Sequence, residues 1–211
     1  MISDLDDYIE AHISPEPELL KKIDRSTNLY YLNGRMCSGH IQGRLLKMLV
    51  AMARPKRVLE LGTFTGYSAL CIAEALDEDS SLDTIEIDDE MKDVITENLK
   101  QSPHGKKVRL HIGDALEIMN NWNPDEFDMA LIDADKRSYS SYFKKLFPLI
   151  RPGGFIIADN TLWDGHVIES QHHSSQTKGI IDFNNFIAAF PGIDVAIIPI
   201  RDGMTVIHKL P

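Results

Sequence analysis

The feature that most constrains this chain is a glycine-containing stretch at residues 57–68, with the sequence RVLELGTFTGYS. The apolar run at 58–61 predicts a buried strand, Gly62 and Gly66 predict a turn, and residues 68–76 predict a helix. An α/β sheet presents small ligands at such connections, at the carboxyl ends of its strands. Glycine also lets the backbone approach a ligand closely. The stretch therefore predicts an α/β sheet with a ligand-binding loop.

The residues around this loop narrow the kind of ligand. The stretch lacks both the phosphate-binding Gly-x-x-x-x-Gly-Lys-Ser/Thr pattern and the dinucleotide pattern Gly-x-Gly-x-x-Gly. Glu60, just before the first glycine, would repel a pyrophosphate and suits a positively charged ligand, such as the sulfonium and α-amino group of S-adenosylmethionine. The loop alone leaves a second interpretation equally open, in which Glu60 is only a strand-end acid and the glycines only make a turn.

The composition of the chain limits which classes of protein it can belong to. A chain of 211 residues suits one domain, 1–211, and its 43% hydrophobic content is ordinary for a globular protein. A formal net charge of −10 argues against a general electrostatic attraction to nucleic acid or to an anionic membrane. No apolar run approaches the roughly 20 residues that span a bilayer, and the acidic N-terminus lacks a signal-peptide pattern. We expect a cytoplasmic protein.

Strand and helix patterns alternate along the rest of the chain. Further strands are predicted at residues 82–87, 107–112, 129–132, 155–158, 195–200 and 204–208. Helices are predicted between them at residues 89–100, 115–121, 138–149 and 180–189, and a turn is predicted at residues 151–154. Only a short turn separates the last two strands, which is hairpin spacing. The chain is therefore expected to form a seven-stranded, mostly parallel sheet (54–211) with helices on both faces and an antiparallel C-terminal hairpin, preceded by a helical segment (1–53) that covers the site.

Acidic residues stand at or just after the ends of five predicted strands: Glu60, Glu86, Asp114, Asp133 and Asp159. Ligands bind at this edge of α/β sheets, so the acids predict a binding site. Glu86, about 20 residues past the glycine loop, can bind both hydroxyls of a ribose, although NAD-binding proteins use the same device. Asp114 can accept a hydrogen bond from an adenine amino group while the Ala115 N–H donates to a ring nitrogen. The alternative for Asp114 is a helix N-cap.

A metal site is predicted where strands four and five end. These strands are neighbours in such a sheet, so Asp133, Asp159 and Asn160 can converge. Three oxygen ligands without Cys or His indicate a hard divalent cation, above all Mg²⁺. Lys136 follows Asp133 closely; beside a metal and away from water its pKa can be lowered, and it could then take a proton from a hydroxyl. The alternatives are a solvated lysine and an ordinary turn.

Other chemically suggestive residues are weaker candidates. His172 and His173 lie in a polar stretch without an acidic partner at ligand spacing, and we interpret them as surface residues. Cys71, in a predicted helix, is expected in the core rather than as a nucleophile. The two cysteines, Cys37 and Cys71, make no disulfide framework. The absence of a Gly-x-Ser-x-Gly motif leaves a hydrolase triad without its nucleophile.

Three motifs together resemble the cation-dependent O-methyltransferases, the group of caffeoyl-coenzyme A and catechol O-methyltransferases and their bacterial relatives. The motifs are VLELGTFTGYS at 58–68, IDADK at 132–136 and ADNTLW at 158–163. The resemblance covers residues 36–209 in order. It implies a class I methyltransferase fold, S-adenosylmethionine as cofactor, a divalent cation (Mg²⁺, with Mn²⁺ or Ca²⁺ as alternatives) and a homodimer.

The resemblance also implies roles for individual residues. The family's metal ligands fall on Asp133, Asp159 and Asn160, and its catalytic positions on Lys136 and Asp133. Its cofactor contacts fall on Met36, Ser38, Glu60, Gly62, Ser68, Glu86, Asp114, Ala115 and Asp133. One departure concerns the edge of the pocket: relatives commonly have Ser-Pro before the Gln-Gly of the helix at 41–53, whereas this chain has SGHIQG at 38–43.

The expected activity is methylation of one hydroxyl on a small catechol-like aromatic acceptor, with Trp163 and residues 165–178 around that acceptor. The N-terminal segment shows no clear coenzyme A site, so the plant-type thioester substrate is not implied. Two alternatives stay open. One is methylation of a hydroxylated uridine in tRNA, against which the net charge of −10 argues. The other is a non-catalytic S-adenosylmethionine-binding protein, which would not need Lys136.

Overall fold

The computed structural model describes the backbone of residues 2–169 and 174–211, with side chains from residue 5 onward in those ranges. Seven strands in these ranges form one sheet in the order β3-β2-β1-β4-β5-β7-β6. They are β1 (Arg57–Leu61), β2 (Ser81–Glu86), β3 (Val108–Ile112), β4 (Phe127–Ile132), β5 (Ile150–Asp159), β6 (Ile193–Ile198) and β7 (Met204–Lys209). The pairs β1–β4, β2–β3 and β4–β5 are parallel, whereas β7 runs antiparallel to β5 and β6. The predicted mostly parallel sheet with a C-terminal hairpin is confirmed.

The α-helices follow the predicted alternation. They are α1 (Ile2–His12), α2 (Glu18–Tyr30), α3 (Gly39–Ala53), α4 (Tyr67–Ala75), α5 (Lys92–Gln101), α6 (Ala115–Ile118), α7 (Tyr139–Leu146) and α8 (Ser175–Ala188). Short 3₁₀ turns extend several of them, including Lys136–Ser138 directly before α7. None of the helices in the described ranges is long and apolar enough to cross a membrane.

Three element boundaries differ from the expectation. The predicted turn at residues 151–154 lies inside β5, where the register with β4 shifts between Phe127 and Met129, so the chain bulges rather than ends. Helix α8 begins before residue 180, because the Ser174 hydroxyl oxygen accepts a hydrogen bond from the Thr177 N–H at 3.1 Å and caps it. The β6–β7 loop spans residues 199–203, two residues more than predicted.

The chain divides into two compact units, and each has its own core. Unit 1 comprises the residues up to Lys56 together with Thr63–Ile112. Its core consists of Leu20, Ile23, Cys37, Tyr67, Leu70, Cys71, Met91, Ile95 and Leu99. Helices α3 and α4 approach closely here, since a side chain at Gly43 would place its Cβ 2.7 Å from the Cys71 sulfur. Burial raises the pKa of the Cys71 thiol, so the expectation of a core cysteine is confirmed.

Unit 2 comprises Arg57–Gly62 and Gly113–Pro211. Its core joins the buried faces of β4 and β5 to aromatic side chains of α7 and α8. The ring of Phe143 lies 5.8 Å from Phe186 and 6.2 Å from Phe183, measured between centroids. These aromatic contacts pack α7 against α8.

Candidate active site

In unit 1, the glycine loop contains residues with positive φ angles. Gly66 has a φ of 86° and Phe64 a φ of 51°, and the Gly66 N–H donates to the Thr63 carbonyl at 2.9 Å. Glycine adopts such angles at no steric cost, while the phenylalanine must be held in place. Its ring lies edge-on to Tyr31, at 5.9 Å between centroids. The loop is therefore a fixed element that leads into α4.

The carboxylate of Glu86, at the end of β2, holds this loop. One carboxylate oxygen accepts hydrogen bonds from the N–H groups of Thr63 (3.1 Å) and Phe64 (2.7 Å), and the other accepts from the Asp88 N–H (3.0 Å). A carboxylate offers about four acceptor positions. Three of them are thus used by backbone amides, so Glu86 holds the loop, and its contact with the hydroxyls of a ribose stays a prediction.

The N-terminal segment of unit 1 also contacts the loop. The Tyr67 hydroxyl donates to the Glu16 carboxylate, and the Thr27 hydroxyl lies 3.0 Å from the Thr65 hydroxyl. Of the other predicted cofactor residues in this unit, Ser38 and Ser68 are buried, at 5% and 6% exposure, while Met36 is 56% exposed.

In unit 2, the predicted cofactor residues lie on β1 and at the start of α6. Glu60 is fully buried on β1. Gly62 has a φ of 97°, and a Cβ there would lie 2.1 Å from the Asp133 carbonyl oxygen, so no other residue fits. Asp114 caps α6, because its carboxylate accepts from the Leu116 N–H at 2.7 Å, and Ala115 is the first residue of that helix. The capping role that we weighed for Asp114 is therefore present.

Lys136 is buried and bonded to Asp133. Its Nζ donates to the Asp133 carboxylate at 2.7 Å and to the Tyr139 hydroxyl at 2.9 Å, and the lysine is 9% exposed. The solvated alternative for this residue is excluded.

The net electrostatic effect on Lys136 favours its charged form. Burial by itself lowers the pKa of the ammonium, but the nearby carboxylates, that of Asp133 foremost, outweigh burial and raise the pKa above the ordinary lysine value. This shift is opposite to the lowered pKa that we expected for Lys136 beside a cation. The reason is that the carboxylates stabilise the ammonium.

Asp159 and Asn160 follow Ala158, which pairs with Ile132 in the β4–β5 register. Asp133 and Asp159 therefore stand at equivalent positions at the ends of neighbouring parallel strands. Asp159 is 4% exposed, and its carboxylate accepts from the Asn160 N–H at 2.8 Å. Asn160 has a φ of 56°, a left-handed conformation that asparagine tolerates better than most residues.

Comparisons with known proteins indicate the family of this chain. A family model described as O-methyltransferase matches residues 10–210. The chain is 36% identical to tricin synthase 1 of Oryza sativa subsp. japonica, covering 92% of this chain and 82% of that protein. It is 30% identical to the caffeoyl-CoA O-methyltransferase of Petroselinum crispum, covering 96% and 88%.

The chain belongs to the O-methyltransferase family. It is therefore an enzyme of the methyltransferase class. Its fold is that of the class I S-adenosylmethionine-dependent methyltransferases. An O-methyltransferase from Bacillus cereus, solved in complex with S-adenosylhomocysteine, superposes with a TM-score of 0.90 at 27% identity, covering 98% of this chain and 97% of that one.

The oxygen donors of this O-methyltransferase fit a hard cation. No three His, Cys, Asp or Glu side chains within residues 5–169 and 174–211 are grouped as a metal site, so the predicted set needs the amide of Asn160 besides two carboxylates. The Asn160 Nδ2 lies 3.4 Å from the Asp202 carboxylate, which turns the amide nitrogen toward Asp202 and leaves its oxygen as the possible ligand. Two carboxylates and one amide oxygen suit Mg²⁺.

Sequence reasoning missed two residues of this O-methyltransferase that contact Lys136. Tyr139 is fully buried at the start of α7, and burial raises the pKa of its phenol. Gly179 of α8 lies so close that a Cβ there would come within 2.4 Å of the Lys136 carbonyl oxygen. The spacing of Tyr139 from Lys136 along the chain was a usable signal, whereas nothing local in the sequence points to Gly179.

The proposed acceptor segment is only partly described. Trp163 and Asp164 adopt left-handed conformations, with φ values of 48° and 55°. The backbone N–H groups of Leu162 and Trp163 donate to the Asp202 carbonyl at 2.7 and 3.0 Å, which ties the segment to the β6–β7 loop. His172 and His173 lie outside the described residues.

Proposed function

We propose that this chain transfers a methyl group from S-adenosylmethionine to one hydroxyl of a small vicinal dihydroxy aromatic, and that it needs a divalent cation to do so. The proposal is carried by the buried Lys136 that donates to Asp133 at the end of β4, next to the strand end that holds Asp159. Buried charges gathered at a ligand-binding edge are typical of functional sites. The family membership supports the reaction type.

The cation would be held by Asp133, Asp159 and Asn160, and Mg²⁺ suits these ligands best. When bound, it supplies positive charge that favours the ionised form of an acceptor hydroxyl. The vicinal dihydroxy acceptor is supported by the name of the Petroselinum crispum relative, a caffeoyl-CoA O-methyltransferase, since a caffeoyl group carries two adjacent hydroxyls.

The cofactor would contact the residues that the family resemblance implies. When bound, S-adenosylmethionine would supply the methyl group that the acceptor oxygen receives. The Bacillus cereus protein solved with S-adenosylhomocysteine supports this choice of cofactor. The proposed contact residues are Met36, Ser38, Glu60, Gly62, Ser68, Glu86, Asp114, Ala115 and Asp133.

Lys136 would take the proton of the acceptor hydroxyl on Nζ and hold it as an ammonium. The carboxylates raise the pKa of this amine while they act on it alone. Burial acts on this pKa in the opposite direction, because it disfavours the ammonium. In its neutral form, the amine of Lys136 can act as a general base.

The test is methyl transfer by the purified chain from labelled S-adenosylmethionine to three acceptors: a catechol, a monophenol and unmethylated bulk tRNA. We expect turnover of the catechol with Mg²⁺, and none of the monophenol or of any acceptor in EDTA. Asp159→Ala should remain folded and inactive. Full turnover in chelator would exclude the cation role, methylation of tRNA alone would support the nucleic-acid alternative, and cofactor binding without any turnover would support the non-catalytic one.

We also propose that the chain is a homodimer, as the family resemblance implies. The edge strand β6 supports this, because Val195 and Ile197 are 39% and 45% exposed on it, and an exposed apolar edge favours pairing. Light scattering should give twice the mass of the chain, and Ile197→Lys should reduce it. A monomer at all concentrations would exclude the dimer.

A further inference from the structure

The buried phenol of Tyr139 contacts Lys136 and the ends of both strands that carry the proposed cation ligands. Its oxygen accepts from Lys136 Nζ at 2.9 Å, and it lies 3.0 Å from the Asp159 carbonyl and 3.2 Å from the Ile132 carbonyl. A carbonyl has no proton to give, so the phenol proton points at these carbonyls and a phenol lone pair faces Nζ. The backbone therefore fixes the direction of the hydrogen bond between Tyr139 and Lys136.

Lys136 Nζ can form one hydrogen bond more than the two that the described residues provide. Within the described residues its hydrogen-bond partners are Asp133 and Tyr139. A tetrahedral nitrogen has four directions, of which one holds its own carbon and two face these partners. The remaining direction is where the nitrogen would meet an acceptor hydroxyl.

We propose that Tyr139 is a positioning residue, which together with Asp133 aims the remaining direction of Lys136 Nζ at the acceptor's proton. This inference rests on the proposed function, in which Lys136 is the general base. The proton moves from the acceptor hydroxyl to the lone pair of Nζ, while Tyr139 keeps its own proton on the backbone carbonyls. Without the phenol oxygen, Lys136 would keep one fixed partner and rotate around it.

Other contacts hold the ring of Tyr139 independently of its hydroxyl. The ring meets Phe183 of α8 edge to face, with centroids 5.4 Å apart and an interplanar angle of 87°. Gly179, on the same helix, lies against the backbone of Lys136. Tyr139→Phe therefore removes one oxygen and keeps the ring packing. Tyr142→Phe, on the half-buried tyrosine of the same helix, is the matched control.

The kinetic test compares Tyr139→Phe with Lys136→Ala and with the double variant. We expect Tyr139→Phe to lower kcat about 10- to 100-fold, the usual effect of a hydrogen bond to a charged group, with KM for S-adenosylmethionine unchanged. Because Tyr139 acts through Lys136, the double variant should be no slower than Lys136→Ala. Losses that multiply in the double variant would overturn the inference. If Lys136→Ala matched the unaltered chain, the proposed base itself would fail; a slow Lys136→Ala with an unimpaired Tyr139→Phe would overturn only the positioning role.

A second measurement needs no turnover. The ammonium of Lys136 should give a slowly exchanging ¹⁵N–¹H signal in the chain without cation or cofactor, identified by its absence in Lys136→Met. Tyr139→Phe should speed its exchange with water, whereas Tyr142→Phe should not. An equally slow exchange in Tyr139→Phe would overturn the inference. So would a signal in the unaltered chain that exchanges as fast as an exposed lysine, whether or not the variant folds.

Discussion

Glu86 and Asp133 are both acids at strand ends, but they are held by different kinds of partner. Glu86 accepts from three backbone N–H groups, which belong to the glycine loop and cannot move without it. Asp133 accepts from a side-chain ammonium, that of Lys136, which Tyr139 also holds and which can lose its proton. A carboxylate with backbone partners serves as a fixed structural support. A carboxylate with an ionisable side-chain partner can take part in proton transfer and can bind a cation as well.

The comparison would be tested most severely by removing the ionisable partner of Asp133. We expect Lys136→Ala to lose roughly 10²- to 10⁴-fold in turnover, the usual contribution of a positioned base, while cofactor affinity is retained. Lys136→Arg should not restore turnover, because a guanidinium stays protonated. The loss should shrink for nitrocatechols, whose hydroxyls are already largely ionised. Steady-state kinetics with methyl-labelled cofactor measures all three, and equal turnover on an unactivated catechol would place the base elsewhere.

Removing the fixed acid should produce a smaller effect, and on binding rather than on chemistry. Glu86→Ala should weaken S-adenosylmethionine binding by about 1–3 kcal/mol, because the loop loses its backbone acceptor and a ribose hydroxyl loses a charged one. Calorimetry measures the affinity, with the exposed Glu90→Ala as control. Unchanged affinity would mean that Glu86 only supports the loop.

Removing the ammonium beside Asp133 should increase the affinity of the chain for a cation. Lys136→Met should bind Mn²⁺ about tenfold more tightly than the unaltered chain, since the ammonium no longer competes for the Asp133 carboxylate. Electron paramagnetic resonance of free Mn²⁺ measures this without any turnover. The control is Lys144→Met, which removes an exposed lysine. Weaker binding in Lys136→Met would show that the lysine helps to hold the cation ligands in place.

The ion pair should also contribute to stability in a predictable pH window. The pKa of Lys136 is raised in the folded chain, so its contribution is fully present below the unfolded lysine pKa and falls as pH rises above that value. Between about pH 10 and 11.5, the difference in unfolding free energy between the unaltered chain and Lys136→Met should fall by at most about 1.4 kcal/mol per pH unit. Denaturant titrations measure it, and a difference that grows with pH would contradict the raised pKa.

Much of the fold could be predicted from the sequence, because the patterns that indicate strands and helices are local. Short apolar runs predicted all seven strands, and their alternation with helical patterns predicted parallel pairing. The bulge in β5 was taken for a turn, since Pro152 and Gly153 usually end strands and only the pairing with β4 shows that the strand continues. The single-domain assignment remains a prediction.

The sequence predicted those residues of the candidate site that stand at the ends of strands. The convergence of Asp133 and Asp159 followed from predicting β4 and β5 as neighbours. The sequence did not predict that Lys136 is buried. Its burial depends on α7, whose sequence pattern is unremarkable, and on α8, which is distant in sequence. The three amides on Glu86 also escaped prediction, since backbone donors carry no sequence signal.

The close approach of Gly179 to Lys136 limits how this enzyme can be re-engineered. Segments between β5 and α8 are natural places to graft loops when a different acceptor is wanted. A graft that rotates or slides α8 would bring another residue to the place of Gly179. The Cβ of that residue would then lie 2.4 Å from the Lys136 carbonyl oxygen, which is too close. Grafted loops can therefore vary in sequence but must deliver α8 in its present register, with glycine at position 179.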